Sequence, residues 1–239
     1  MTIQTKSHVY DGPGGPFAGT IAWDDAVTGP RAGVMVVPNV LGQKALDDDK
    51  AAELAALGYV GFVCDLYGEG KRTTRESPDP AVYMNALNAD RALLRDRLHA
   101  SLAAMRALPQ VDAARCAAIG YCFGGKAVLD LARSGAAVRG VVSFHGIFDA
   151  PDYACPTPIA ARVLVCHGWD DPLAPPASVV ALGEELTAAG ARWELQAYSG
   201  TGHAFTDPTA PDKPGFGYRA EADRRSWAAA VGLLSEVLT

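Results

Sequence analysis

Residues 116–125 read Cys-Ala-Ala-Ile-Gly-Tyr-Cys-Phe-Gly-Gly, and this stretch decides the fold. The first five residues form an apolar run typical of a buried strand, and the residues that follow the stretch are typical of a helix. Gly120 and Gly124 stand two residues before and two residues after Cys122. This spacing indicates a strained strand-to-helix turn that presents a nucleophile, with cysteine in the place of serine. The helix N-terminus that follows favours a thiolate over a thiol.

An isolated cysteine is more often a small buried apolar residue. Cys64, Cys116 and Cys166 lie inside predicted strands and fit that description. Cys122 differs from them because strand, turn, helix and both glycines occur together around it. We therefore interpret Cys122 as a candidate nucleophile.

The rest of the chain repeats the alternation of short apolar runs and longer helical patterns. Strands are predicted over residues 20–23, 33–37, 60–64, 116–120, 139–144, 162–166 and 192–198, and helices over 44–57, 81–108, 124–134, 177–189 and 220–238. Gly58 and Gly190 are predicted C-terminal caps. Strands rich in Val, Ile and Ala without alternation are typical of a parallel sheet with helices on both faces. We expect one α/β domain over residues 1–239, with a mostly parallel sheet of about seven to eight strands.

Charge and composition exclude several classes of protein. The net charge of −6 has the wrong sign for a nucleic-acid or anionic-membrane partner. No window is long and apolar enough for a membrane span, and no signal-peptide pattern opens the chain. Five cysteines without framework spacing favour a reducing cytoplasm. No CxxC pair or His/Cys cluster suggests a metal, nothing calls for a cofactor, and a monomer or small homo-oligomer is expected.

An acid and a base should follow the turn in chain order, each after a later strand. Asp170 and Asp171 follow the strand at 162–166, and His203 lies in a Gly-flanked loop after the strand at 192–198. Pro172 biases Asp171 toward an extended conformation, which suits a side chain that orients an imidazole. Asp170 stays the alternative.

Four other histidines compete with His203 for the role of base. His8 and His99 are interpreted as surface residues, the first before the first strand and the second within a long helix. His145 and His167 end strands and are candidates to line a pocket. His203 is preferred because of its loop position.

In these motifs the chain resembles the dienelactone hydrolase family of α/β-hydrolases over nearly its whole length. The resemblance rests on Cys64-Asp65-Leu66-Tyr67, Gly120-Tyr121-Cys122-Phe123-Gly124-Gly125, Asp171 with Pro175, Gly202-His203-Ala204-Phe205 and the closing helix with Trp227. It implies a Cys122–His203–Asp171 triad. It also implies an oxyanion hole made by the backbone N–H groups of Phe123 and Val40.

Two positions depart from the family pattern. Asn39 stands where well-known members have a glutamate, and Asp207 where they have an arginine that binds the substrate carboxylate. An acid at position 207 would repel a carboxylate, so we expect a relatively neutral small ester or lactone as substrate. Arg72 or Arg75, or Lys71 beside them, could supply a cation from segment 68–80, which is either a lid or a solvated loop.

Tyr121 and His145 complete the predicted pocket with Asn39, Asp207 and the two arginines. Three alternatives stay open. They are a true dienelactone hydrolase, a promiscuous esterase that also accepts phosphotriesters, and a non-catalytic binding protein on the same fold.

Overall fold

A computed structural model describes residues 2–239 as eight strands and six helices. The strands are β1 Ile3–Tyr10, β2 Phe17–Asp24, β3 Arg31–Val37, β4 Val60–Val63, β5 Val111–Tyr121, β6 Gly140–Phe144, β7 Arg162–Gly168 and β8 Trp193–Tyr198. The helices are α1 Ala45–Ala56, α2 Val82–Ala89, α3 Arg91–Arg106, α4 Phe123–Arg133, α5 Pro176–Ala188 and α6 Ala220–Val237. The strands form one mostly parallel sheet in the order β1-β2-β4-β3-β5-β6-β7-β8. The predicted α/β fold class is confirmed.

The chain divides into two compact units, Met1–Ala118 and Ile119–Thr239. In the first unit, β1 pairs with β2 and β2 with β4 in antiparallel fashion, whereas β3 and β4 are parallel. Every residue of β3 is buried, as the apolar run over 33–37 predicts, and Arg31 at its start is buried as well. Helix α1 packs against β2, β3 and β4.

In the second unit, β6, β7 and β8 pair in parallel. Helix α4 packs against β6, and α6 packs against β6 and β7. All eleven residues of α4 are buried, so this helix has no face exposed to solvent. Gly58 and Gly190 follow α1 and α5 with φ of 93° and 66°, so both predicted caps are confirmed.

Two predictions about elements are wrong. The first strand is β1, which contains the half-buried His8, so this histidine does not precede the sheet. The predicted helix over 81–108 is two helices, because Asp90 leaves the helical conformation and its carboxylate accepts the Leu93 N–H at 2.8 Å. Among residues 2–239, no helix is both long enough and apolar enough to cross a bilayer.

Candidate active site

Cys122 occupies the turn between β5 and α4. Its φ of 56° and ψ of −112° lie outside the regions that non-glycine residues favour, so the turn is strained. The Cys122 N–H donates to the Phe144 carbonyl at 3.0 Å, which fixes the turn against β6. A Cβ on Gly120 would lie 2.1 Å from the Gly124 carbonyl oxygen, so position 120 requires glycine. Cys122 itself is half-buried, and a small reactant can therefore reach it.

His203 and Asp171 form a buried pair. The Nδ1 atom of His203 lies 2.7 Å from Oδ2 of Asp171, and the two residues are 4% and 2% exposed. The other carboxylate oxygen of Asp171 accepts the Leu173 N–H at 2.8 Å. The His203 N–H donates to the Gly215 carbonyl at 2.7 Å, which fixes the loop that carries the imidazole. Both partners are thus held by backbone contacts as well as by each other.

Charged neighbours control the protonation of His203. Burial lowers its pKa, but the charge and hydrogen bond of Cys122 and the hydrogen bond and charge of Asp171 outweigh burial and raise the pKa to about 10. The imidazolium is therefore the favoured form of His203 at neutral pH. The structure thus brings Cys122, His203 and Asp171 together in the order thiol, imidazole, carboxylate.

The neighbouring Asp170 differs from Asp171 in environment. It is exposed, and its N–H donates to the Thr201 carbonyl at 2.9 Å in the loop beside β8. Asp171 forms the 2.7 Å hydrogen bond to the His203 imidazole. The role of Asp171 as the catalytic acid stays a prediction.

His145 lies beside the base. Its φ of 38° is unusual for a residue with a side chain, and its ring centroid is 5.1 Å from that of His203. The Nε2 atom of His145 is 2.9 Å from Oγ1 of Thr206. The ring of Tyr121 stacks on that of Phe144 at 4.8 Å and lies 6.2 Å from that of His145. Thr206 was missed by the sequence reasoning, because a lone threonine three residues after a histidine carries no local signal.

The remaining histidines lie in strand β1, helix α3 and strand β7. His99 lies in α3 and is half-buried. His167 is fully buried, and its ring contacts those of Phe148 and Trp169. Burial lowers the pKa of His167, with His203 acting in the same direction and Asp171 against it, so His167 is neutral.

Asp207 and Phe123 complete the predicted residues of the second unit. Asp207 is 4% exposed, and its Oδ1 accepts the N–H of Thr209 at 2.9 Å and the hydroxyl at 2.7 Å. Its carboxylate therefore stabilises the turn after His203. Phe123 is the first residue of α4, where the backbone N–H groups point out of the helix toward the turn.

The predicted residues of the first unit lie in two loops. The Asn39 carboxamide oxygen accepts the Leu41 N–H at 3.0 Å, and the Val40 carbonyl accepts the Tyr67 hydroxyl at 3.0 Å. Arg72 pairs with the buried Asp65 at 3.1 Å, whereas Arg75 is exposed. The guanidinium of Arg72 is thus engaged in anchoring its own loop, and the roles of these residues toward a substrate stay predictions.

Comparison with known proteins identifies the family of the chain. The family model described as the dienelactone hydrolase family matches residues 17–238. A protein of Caenorhabditis elegans is 34% identical over 60% of this chain and 93% of its own length. A carboxymethylenebutenolidase homologue of Methylorubrum extorquens is 27% identical over 83% of this chain and 70% of its own.

A solved structure extends the likeness to the whole chain. The crystal structure of a dienelactone hydrolase-like promiscuous phosphotriesterase from metagenomic libraries is 34% identical, covers 99% of both chains and superimposes with a TM-score of 0.90. Together with the family match, this similarity covers nearly all the described elements. The chain therefore belongs to the dienelactone hydrolase family of α/β-hydrolases and is an ester or lactone hydrolase.

Proposed function

We propose that this enzyme hydrolyses a small, relatively neutral ester or lactone through Cys122, His203 and Asp171, with a covalent thioester intermediate. The observation that carries the proposal is the contact chain from the Cys122 thiol to the His203 imidazole and on to Asp171, with Nδ1 2.7 Å from the carboxylate. A thiol, a base and an orienting acid in this order are the parts that nucleophilic acyl transfer needs.

In the first step, the Cys122 thiolate attacks the carbonyl carbon and the carbonyl π electrons move to oxygen. The backbone N–H groups of Phe123 and Val40 stabilise this oxyanion, and each donor of this kind is worth roughly 3 to 4 kcal/mol. The oxyanion then collapses, the C–O bond breaks, and the His203 imidazolium gives its proton to the leaving alkoxide. The raised pKa of His203 supports this step, because the residue begins the cycle protonated.

In the second step, neutral His203 takes a proton from water as the water oxygen attacks the thioester. The C–S bond breaks, the acid product leaves, and Cys122 returns as a thiolate beside the imidazolium. Asp171 holds the imidazole with Nε2 free for both proton transfers. Because a thiolate is also a good leaving group, this route favours activated esters and lactones over amides.

The charge near the base supports a neutral substrate. Asp207 is a buried acid four residues after His203, where the family pattern has an arginine, and Asn39 replaces the glutamate partner. A substrate carboxylate placed near Asp207 would be repelled. We therefore expect neutral esters and lactones to react faster than a carboxylate-bearing dienelactone.

A second activity has its own support. A protein that is 34% identical over 99% of both chains is a dienelactone hydrolase-like promiscuous phosphotriesterase. Thiolate attack on a neutral phosphotriester develops an oxyanion like that formed on an ester, so the same donors could stabilise it. We propose neutral phosphotriesters as slow alternative substrates of the same site.

One set of assays tests the proposal. A p-nitrophenyl ester, a carboxylate-bearing dienelactone and a neutral phosphotriester are compared by kcat/KM for the wild type, Cys122→Ala and Cys155→Ala. Cys155 is a matched control because it is also half-buried but lies in the loop before β7. We expect Cys122→Ala to abolish turnover of all three and Cys155→Ala to change none. Full ester hydrolysis by Cys122→Ala would show that another group is the nucleophile, whereas no hydrolysis by the wild type would support a binding protein with a relic triad.

A further inference from the structure

The side chain of Tyr67 links the two loops that follow β3 and β4. Its hydroxyl donates to the Val40 carbonyl at 3.0 Å, and the residue is 3% exposed. We infer that Tyr67 is a positioning residue that holds the Val40 loop in the conformation needed for oxyanion binding. This inference rests on the proposed function, in which the Val40 N–H is one of the two oxyanion donors.

Tyr67 is itself fixed by a buried carboxylate. The Oδ1 atom of Asp65 accepts the N–H groups of Tyr67 at 2.9 Å and of Gly68 at 3.0 Å. Oδ2 of the same group accepts the Ala18 N–H at 3.1 Å, and Arg72 neutralises the charge at 3.1 Å. Asp65 is 1% exposed, so these bonds form away from water, where they are strongest. The backbone that carries the phenol therefore has one conformation.

The Val40 loop is a tight turn that packs on the Tyr67 ring. The Gly42 N–H donates to the Asn39 carbonyl at 3.0 Å, and the Asn39 side chain accepts the Leu41 N–H at 3.0 Å. Gly42 has a φ of 80°, and a Cβ there would lie 3.1 Å from Cδ2 of Tyr67. The Leu41 carbonyl accepts the Thr73 N–H at 3.1 Å. Segment 67–73 thus contacts successive residues of this turn by hydrogen bonds and packing.

This arrangement has a chemical consequence for the Val40 amide. The Tyr67 hydroxyl fixes the Val40 carbonyl, and the Asn39 side chain fixes the next N–H along the chain. Rotation about Val40 is therefore restricted, which keeps its own N–H in one direction. An oxyanion donor acts only when it is aimed in advance at the place where charge develops. Loss of the Tyr67 hydroxyl should then weaken transition-state binding with little effect on binding of the ground state.

The experiment compares two reactions of Cys122 in the Tyr67→Phe variant. Acylation by a p-nitrophenyl ester forms an oxyanion, whereas alkylation by iodoacetamide is a direct displacement and forms none. We expect acylation and kcat to fall about tenfold, less than the 10²- to 10³-fold loss for removing a donor outright. We expect KM, the alkylation rate and the melting temperature to stay close to wild type.

Tyr83→Phe is the matched control. The Tyr83 ring packs against that of Tyr67 with centroids 5.3 Å apart and planes tilted by 36°, so this variant also removes a phenol hydroxyl from the same aromatic pair. It should leave acylation unchanged. An unchanged acylation rate in Tyr67→Phe, or equal losses of acylation and alkylation, would overturn the inference.

If Tyr67→Phe does not fold, difluorotyrosine at position 67 keeps the ring and ionises at lower pH. Acylation should then fall as the pH rises through ionisation of this phenol while alkylation does not, and parallel profiles would overturn the inference. Failure of the proposed function looks different, because the wild type itself would then form no acyl group on Cys122.

Discussion

His203 Nδ1 and Asp171 Oδ2 lie 2.7 Å apart in a buried pair, while the adjacent Asp170 is exposed. A bond of this length to a charged group is a strong one, and it leaves the second ring nitrogen available for proton transfer. The distinction between two consecutive acids therefore depends on which of them faces the imidazole.

Asp171→Asn should lower kcat by about 10²- to 10⁴-fold, because an amide can hold the imidazole in the wrong tautomer. The matched variant Asp170→Asn should stay within about threefold of wild type, since surface substitutions away from a site have small effects. Steady-state assays with one ester measure both. A larger loss of kcat in Asp170→Asn than in Asp171→Asn would show that Asp170 is the acid.

The reactivity of Cys122 should depend little on pH near neutrality. Burial lowers the pKa of His203, but Cys122 and Asp171 raise it to about 10, so the imidazolium that pairs with a thiolate persists through pH 7 to 9. The rate of alkylation by iodoacetamide should therefore already be near its plateau at pH 7. A profile with its midpoint near the value of free cysteine, about 8.5, would contradict the ion pair.

The same titration predicts how stability depends on pH. The pKa of His203 is higher in the folded state than in the unfolded state. Its contribution to stability is therefore fully present below the unfolded value of about 6.5 and is lost as pH rises through the folded value. Because Cys122 is already a thiolate in the folded state, its own linkage offsets that of His203 up to the unfolded thiol value of about 8.5. The melting temperature of the wild type should therefore fall more between pH 9 and 10 than that of His203→Gln. Equal falls of the melting temperature in the two proteins would show that His203 does not contribute to the pH dependence of stability.

Gly120→Ala should destabilise the protein by about 3 kcal/mol, because the added methyl group would overlap the Gly124 carbonyl. Gly232 in α6 is the control, since a Cβ there meets no atom within 4 Å. Gly232→Ala should be neutral or stabilise the helix by up to about 1 kcal/mol. Urea unfolding compares the two, and equal stabilities would show that the turn tolerates a side chain.

Asp207→Asn should raise kcat/KM for a carboxylate-bearing lactone about fivefold relative to a neutral ester, the equivalent of about 1 kcal/mol of repulsion removed. The amide keeps an oxygen for the Thr209 contacts, so the turn should persist. Asp212→Asn, an exposed acid that pairs with Arg219, serves as the charge control. If Asp207 did not face the substrate, the ratio of kcat/KM for the lactone to kcat/KM for the neutral ester would be the same in Asp207→Asn as in the wild type.

The parts of the fold predicted from sequence were those with strong local patterns. The turn at Cys122 carries its own glycines, and strands buried on both faces read as unbroken apolar runs. Strand β1 was missed because Lys6, Ser7 and His8 dilute its apolar pattern at the solvated edge of the sheet. The break at Asp90 was missed because the apolar period continues across it, although an acid at a helix start is a known signal.

The site was predictable only as far as chain order predicts geometry. Cys122, Asp171 and His203 follow strands β5, β7 and β8, so their meeting at one edge was an expectation of the fold. The bond from Tyr67 to Val40 joins residues 27 apart, and no spacing rule connects them. The ion pair between Arg72 and Asp65 could not be predicted either. The sequence pattern around a loop arginine is the same whether the arginine binds a substrate or another residue of its own chain.

Trapping of the acyl enzyme tests the central claim most directly. The wild type is mixed with a p-nitrophenyl ester, quenched in acid during the first turnover, digested and mapped by mass spectrometry. We predict one acyl group on the peptide containing Cys122, at up to one per chain, and none in Cys122→Ala. Turnover by the wild type with no adduct on Cys122, or with the adduct on another residue, would contradict the account.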